Sequence, residues 1–188
     1  MYDINITVIR YMKFMKKEEI FIIAMTSTKS WQSYETLCNV LERNDIDYER
    51  NDENLCVRCT ASGKDIQLNF LFVINPSKML VSLYSPVPVE IKRENFSNMA
   101  LAVCIINNGL TDGNFCFEPS DGTVFFKMTS SFCETNVSEE LFEYMLSVAA
   151  DTMDDYFLKI SHIAKSEKPF EEDDGASAEL ADFFSKEK

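Results

Sequence analysis

Residues 107–128 read NNGLTDGNFCFEPSDGTVFFKM, and the order of breakers and apolar residues within them decides the fold. Asn107-Asn108-Gly109 marks the exit from a helix, with Gly109 placed to take the left-handed conformation at its end. Phe115 and Phe117 alternate with Cys116 as a strand does, Pro119-Ser120-Asp121-Gly122 turns the chain, and Val124 to Met128 brings it back. Helix, strand, tight turn, strand is the predicted order. The pairs Asp112-Gly113 and Asp121-Gly122 belong to turn chemistry, because neither is followed by the alternating oxygen ligands and closing glutamate of a calcium loop.

The helix that ends here is predicted from about Arg93 to Asn108, with Phe96, Met99, Ala100, Val103, Ile106 and Leu110 on its apolar face. Ahead of it the period is two. Leu55, Val57 and Cys59 alternate with polar residues up to the turn Ala61-Ser62-Gly63-Lys64. Ile66, Leu68, Phe70 and Phe72 alternate next, with an extra apolar patch at Leu71, Val73 and Ile74. Asn75-Pro76-Ser77-Lys78 turns the chain again, and Leu80 to Tyr84 forms a strand that Pro86 and Pro88 end. Three strands on short turns make an antiparallel meander. Earlier still, Trp31, Tyr34, Leu37, Cys38, Leu41 and Ile46 share one helical stripe from about Ser30, the expected N-cap, to an exit at Asn44-Asp45. A stripe at this spacing is core or interface rather than a ligand-stacking pair.

After the hairpin, Ser138 is an expected N-cap, bracketed by Val137 and Phe142 and followed by Glu139 and Glu140. Leu141, Met145, Val148, Thr152, Tyr156, Ile160 and Ile163 extend that helix to about Lys165. Residues 166–188 read as an acidic, flexible tail, in which Leu180, Phe183 and Phe184 form a short amphipathic turn suited to docking. Residues 1–29 read as an extension outside the domain, and with Met1, Met12, Met15 and Met25 in them the start codon is itself open. The domain proper is predicted over residues 30–165.

A chain of 188 residues with 46% hydrophobic and 12% aromatic content is globular and long enough for one substantial core. A net charge of −13 speaks against binding a phosphate backbone and favours basic partner segments. The short apolar run Ile20 to Met25 lacks a clear cleavage site, and no run reaches the length of a membrane span. A cytoplasmic protein without membrane contact is therefore expected, its six cysteines reduced and acting as small hydrophobes.

Candidate chemistry is sparse. Cys56 and Cys59 form a C-x-x-C, but residues three apart on a strand point to opposite faces and cannot both grip one metal. His162 is the sole histidine and sits near the end of the last helix, where a helix terminus stabilises its charge. Asp151 and Asp155 share a helix face and would hold a hard cation only weakly; with Asp154 they read as solvated carboxylates. No phosphate-cradling loop, nucleophile elbow or dinucleotide fingerprint is present. No catalytic, cofactor-binding or metal-ligating residue is assigned, and no cofactor.

Element order, the VPVEIKRENF lead into the middle helix, the 107–128 segment and the SEELFEYML helix start together resemble the YbjN-like family over about residues 30–165. The resemblance implies an α+β fold like that of class I type III secretion chaperones, with about five antiparallel strands (a three-strand meander plus a hairpin) packed by helices in the order α-β-β-β-α-β-β-α. It also implies a non-enzymatic chaperone-like or regulatory protein, often dimeric, that binds a protein or peptide. Phe96, Met99 and Val103, with Leu180, Phe183 and Phe184, are the expected partner-binding residues. Two other readings stay open: a dedicated type III secretion chaperone for an effector, and a small-ligand binder or enzyme using a pocket beneath the middle helix.

Overall fold

The computed structural model describes residues 17–64, 66–133, 137–166 and 182, with side chains from residue 28 onward. Its elements run α1 (Lys17–Arg43), β1 (Tyr48–Asn51), β2 (Cys56–Ser62), β3 (Gln67–Asn75), β4 (Leu80–Pro86), a 3-10 turn (Arg93–Asn95), α2 (Phe96–Gly109), β5 (Asn114–Glu118), β6 (Thr123–Ser131) and α3 (Glu139–Lys165). The strands form one antiparallel sheet in the order β1-β2-β3-β4-β6-β5. The expected α+β architecture is present with six strands rather than about five.

The added strand is β1. It carries Tyr48, Glu49, Arg50 and Asn51, none fully buried, so it shows no apolar alternation. Its pairing with β2 and its place at the sheet edge account for that, since edge strands carry charge. The first helix also begins well before Ser30. Ser30 is fully buried in mid-helix, and so is Ser33, whose Oγ accepts the Val137 N–H at 3.4 Å. Small side chains at these two points let the loop before α3 lie close against α1.

Alternation sets the two faces of the sheet. Across one face, Val57, Phe72, Leu83 and Met128 lie in register, as do Cys59 with Phe70 and Ser85 with Phe126 and Phe115. All of these are buried. The helices cover this face: Phe142 of α3 meets Phe72 edge-on at 5.9 Å, and Tyr156 meets Phe115 at 5.9 Å. Each large side chain fully buried in this way stabilises the fold by about 1.5–3 kcal/mol. Ser138 caps α3 as expected, its Oγ accepting the Leu141 N–H at 3.3 Å, with Val137 and Phe142 buried on either side.

The segment 107–128 differs in one respect from its sequence reading. Gly109 is the last helical residue and has no positive φ; the C-cap is Leu110, in extended conformation. The connection is instead held by Asn107. Its Oδ1 accepts the Phe115 N–H at 2.8 Å and its Nδ2 donates to the Phe115 carbonyl at 2.9 Å, so one side chain acts as a strand partner to β5. The left-handed residue is Gly113, at φ +71°. A Cβ there would lie 2.2 Å from Phe126 Cζ. Two apolar residues also adopt positive φ, Leu55 (47°) and Met79 (51°), closing the turns after β1 and β3. Their carbonyls accept from Ile74 N–H and Phe132 N–H, each at 2.9 Å, so the strained residues hand the ladder on to the neighbouring strand.

Two glycine substitutions separate these roles. Gly113→Ala forces a left-handed backbone and a clash with Phe126, and should cost at least about 1–3 kcal/mol in urea denaturation. Gly109→Ala meets nothing within 4 Å and should raise stability by up to about 1 kcal/mol. Equal effects from the two would contradict the assigned conformations.

Candidate functional site

The second face of the sheet alternates with the core face and carries Glu49, Arg58, Leu71, Tyr84, Lys127 and Asn114 in one register row. Beside it run Thr60 with Asn69, and Pro86 with Phe125 and Cys116. Val73 and Ser82 continue the face, where the Ser82 and Thr129 hydroxyls bond at 3.1 Å. Leu71, Val73, Tyr84 and Phe125 are each only half-buried, and among the described residues no helix lies over them. Leu71, Tyr84 and Phe125 line an open hollow of about 770 Å³ that reaches from Glu49 and Arg58 to Phe125.

Tyr84 and Phe125 pack at 6.1 Å with rings tilted by 52°, and Lys127 Nζ lies 5.6 Å from the Tyr84 ring. The face is therefore an apolar band with a rigid aromatic pair, crossed by the cations Arg58 and Lys127 and edged by Glu49. Aromatic and arginine side chains of this kind dominate protein contacts. The hollow lies on this sheet face and not beneath the middle helix.

The predicted partner residues fall elsewhere. Met99 and Val103 are buried in the core, because the apolar stripe of α2 is spent on packing against β5 and α3. Phe96 is half-buried, edge-on to Phe117 at 5.3 Å, and its ring lies over Gly122, which at φ +78° turns the β5–β6 hairpin. Leu180, Phe183 and Phe184 lie outside the described residues. The signal that could have found the open face was the patch at Leu71 and Val73: apolar residues at both parities of one strand mean apolar side chains on both faces.

A second feature joins α1 to the β1 edge. Trp31 is 43% exposed, while Tyr34, three residues on, is fully buried. The Arg50 guanidinium lies 4.9 Å from the Tyr34 ring and 5.9 Å from that of Trp31, and pairs with Asp52 at 2.7 Å and Glu35 at 2.8 Å. The Tyr34 hydroxyl donates to Asp52 Oδ1 at 3.1 Å. Burial, and then this bond to a carboxylate, push the Tyr34 phenol up to about 12. Arg50, and then Tyr34, hold the Asp52 carboxyl below its usual range.

The remaining chemical candidates have structural places. Cys59 faces the core, where burial pushes its thiol up to about 12, and Cys56 faces outward from the same strand. His162 is exposed in the last turn of α3. Asp151 accepts the Ser147 hydroxyl at 3.3 Å, and Asp154 accepts the Lys64 N–H at 2.9 Å, tying the β2–β3 turn to α3. Among the described residues, no three His, Cys, Asp or Glu side chains come together to hold a metal, and no helix is long and apolar enough to cross a membrane.

Residues 33–161 match the family model YbjN, described as "Putative bacterial sensory transduction regulator". The chain belongs to the YbjN family. A chain in the crystal structure of the ExsC–ExsE complex is similar in fold, with a TM-score of 0.52 at 14% identity over 70% of this chain and 95% of its own length. YbjN from E. coli aligns with a TM-score of 0.47 at 10% identity, covering 70% of this chain and 87% of its own. A chain of the HopA1–SchA chaperone–effector complex gives 0.49 at 9%, covering 67% and 94%. No curated protein sequence matches. The likeness to the ExsC–ExsE chain extends to the fold of this YbjN-family protein, in which one sheet carries the described helices on one face.

The Tyr34 cluster makes stability depend on alkaline pH. Unfolded, the phenol loses its proton near its ordinary value of 10.0; folded, it keeps it to about 12. The folded state thus binds more protons in between, so this contribution is complete below pH 10 and declines as pH rises toward 12. The urea midpoint should fall over that window, and Tyr34→Phe should flatten the fall at a cost of about 1 kcal/mol at neutral pH. An unchanged slope in the variant would place the titration elsewhere.

Proposed function

We propose that this protein binds a polypeptide segment of another protein on the open face of its sheet, as a non-enzymatic, cytoplasmic chaperone-like or regulatory factor. The observation that carries the reading is the half-buried band Leu71, Val73, Tyr84 and Phe125 on a face that no described helix covers. A bound extended or amphipathic segment would bury these side chains at roughly 25 cal/mol per Å², with Arg58 and Lys127 setting its orientation. Membership in a family described as regulators of sensory transduction supports the regulatory reading. The likeness to a chain of the ExsC–ExsE protein complex supports a protein as the partner.

Among the described residues the face carries two cations, the carboxylate of Glu49, short hydroxyls, the Tyr84 phenol, the amides of Asn69 and Asn114 and the thiols of Cys56 and Cys116, and no histidine stands among them to act as a base. That favours binding over turnover. A second copy of the chain is the competing occupant, and a type III secretion effector would be one instance of the polypeptide partner.

The test is affinity capture from the native host with wild-type protein and with the double variant Leu71→Glu, Phe125→Glu. Recovery of one stoichiometric polypeptide by the wild type and a loss of at least about tenfold in the variant is the expected result. Equal recovery by both would remove the open face as the site. Recovery only of further copies of this chain would assign the face to self-association.

A further inference from the structure

The end of α3 carries a polar seam that the binding face does not use. Asn95, fully buried at the close of the 3-10 turn, donates through Nδ2 to the Ala164 carbonyl at 3.1 Å and the Ser166 carbonyl at 2.9 Å. That side chain caps the helix from outside and fixes the Lys92–Arg93 approach against its last turn. His162 and Lys165 are in that turn. Asn95 thus brings the segment of Lys92 and Arg93 to the turn of His162 and Lys165, all four exposed in a chain whose net charge is −13, with Lys92 already meeting Glu94 at 3.8 Å. A basic rim of this kind favours acidic segments.

Next to it is a hollow of about 460 Å³ lined by Leu158, Ser161, His162, Lys165 and Ser166. Two features make it unfinished. Leu158 is a large apolar side chain left 60% exposed. Among the described residues the Ser161 Oγ, on a residue more than nine-tenths buried, has no hydrogen-bond partner. Buried hydroxyls without partners are uncommon and point to a group that satisfies them.

We infer that the hollow at the end of α3 is the docking site for the protein's own C-terminal segment, centred on Leu180–Phe184. The chain leaves α3 at Ser166, itself part of the lining, so the segment is tethered at high effective concentration. The 14 steps of chain from Ser166 to Leu180 span at most about 3.3–3.6 Å each when extended, enough to turn back onto Leu158. Residues 167–188 carry eight carboxylates against three lysines, complementary to the basic rim. Leu180, Phe183 and Phe184 supply the apolar cover that Leu158 lacks, while Glu179 and Asp182 stand beside them for the cations. His162, Ser166 and Asp182 each have interaction partners in the structure. This site is on the helix side, remote from Lys127 and the open face, and does not rest on the proposed function.

Zero-length carbodiimide coupling of the full-length protein at high dilution, read by mass spectrometry, tests the assignment. Carboxylates of residues 167–188 should join to Lys165 and Lys92 within one chain, in yields at least about fivefold above those at Lys78 and Lys127. High salt, or the variant Leu180→Ser, Phe183→Ser, Phe184→Ser, should bring the four lysines level. Equal yields in the unmodified protein at low salt would overturn the assignment, as would coupling mainly to Lys127, which would put the tail on the open face. Coupling only between chains would overturn it too.

Discussion

The pairing of β4 with β6 is the constraint on which the rest of the structure depends. Among the described strands it is the one join between strands that are not consecutive in the chain, and it sets Leu83 opposite Met128 and Tyr84 opposite Lys127. The meander β1–β4 and the hairpin β5–β6 each have a fixed register of their own from their turns. Only this join aligns them, so that Val57, Phe72, Leu83 and Met128 make one buried row and Arg58, Leu71, Tyr84 and Lys127 make one outward row. A slip of one residue would exchange the two faces of the hairpin, exposing Phe126 and burying Lys127, which is why register is strongly specified here. The loops at either end reinforce it: Met79 gives its carbonyl to Phe132 N–H, and Val87 N–H donates to the Val124 carbonyl, each at 2.9 Å.

The described helices all pack on one face, and among the described residues none covers the other. The ionic contacts that join the helices to each other are surface pairs, such as Arg43 with Glu139 and with Glu143, and exposed pairs of that kind contribute little. Burial of Phe72, Phe115, Phe126 and Phe142 does the stabilising. The half-buried aromatic pair on the far side is therefore available to a partner without loss to the core. The basic end of α3 lies apart from it, so a tail held there and a polypeptide held on the sheet do not compete for the same side chains.

Much of the fold was legible in the residues. Alternation at Leu68, Phe70 and Phe72 and at Phe115 and Phe117, the Pro119–Gly122 turn and the Ser138 cap each have a local cause that tertiary packing leaves alone. β1 was not legible because an edge strand of Tyr48, Glu49, Arg50 and Asn51 has no apolar period. Gly109 looked like the helix cap because a glycine after two asparagines fits that role locally. The side chain of Asn107, by pairing with Phe115 across the loop, removes the need for it. Met99 and Val103 were expected on a partner-binding surface for a related reason: an apolar helical stripe is the same whether it meets the core or a partner, and these two residues meet the core. The open face was visible only as Leu71 and Val73, apolar where strict alternation wanted polar residues.

Hydroxyl-radical footprinting of the purified complex with its captured polypeptide tests the central claim most directly. Protection should centre on Leu71, Tyr84 and Phe125, with the exposed Trp31 as reactive in the complex as in the free protein. Protection of Trp31 with Tyr84 and Phe125 unchanged would contradict the account and move the binding surface to the helix side of the sheet.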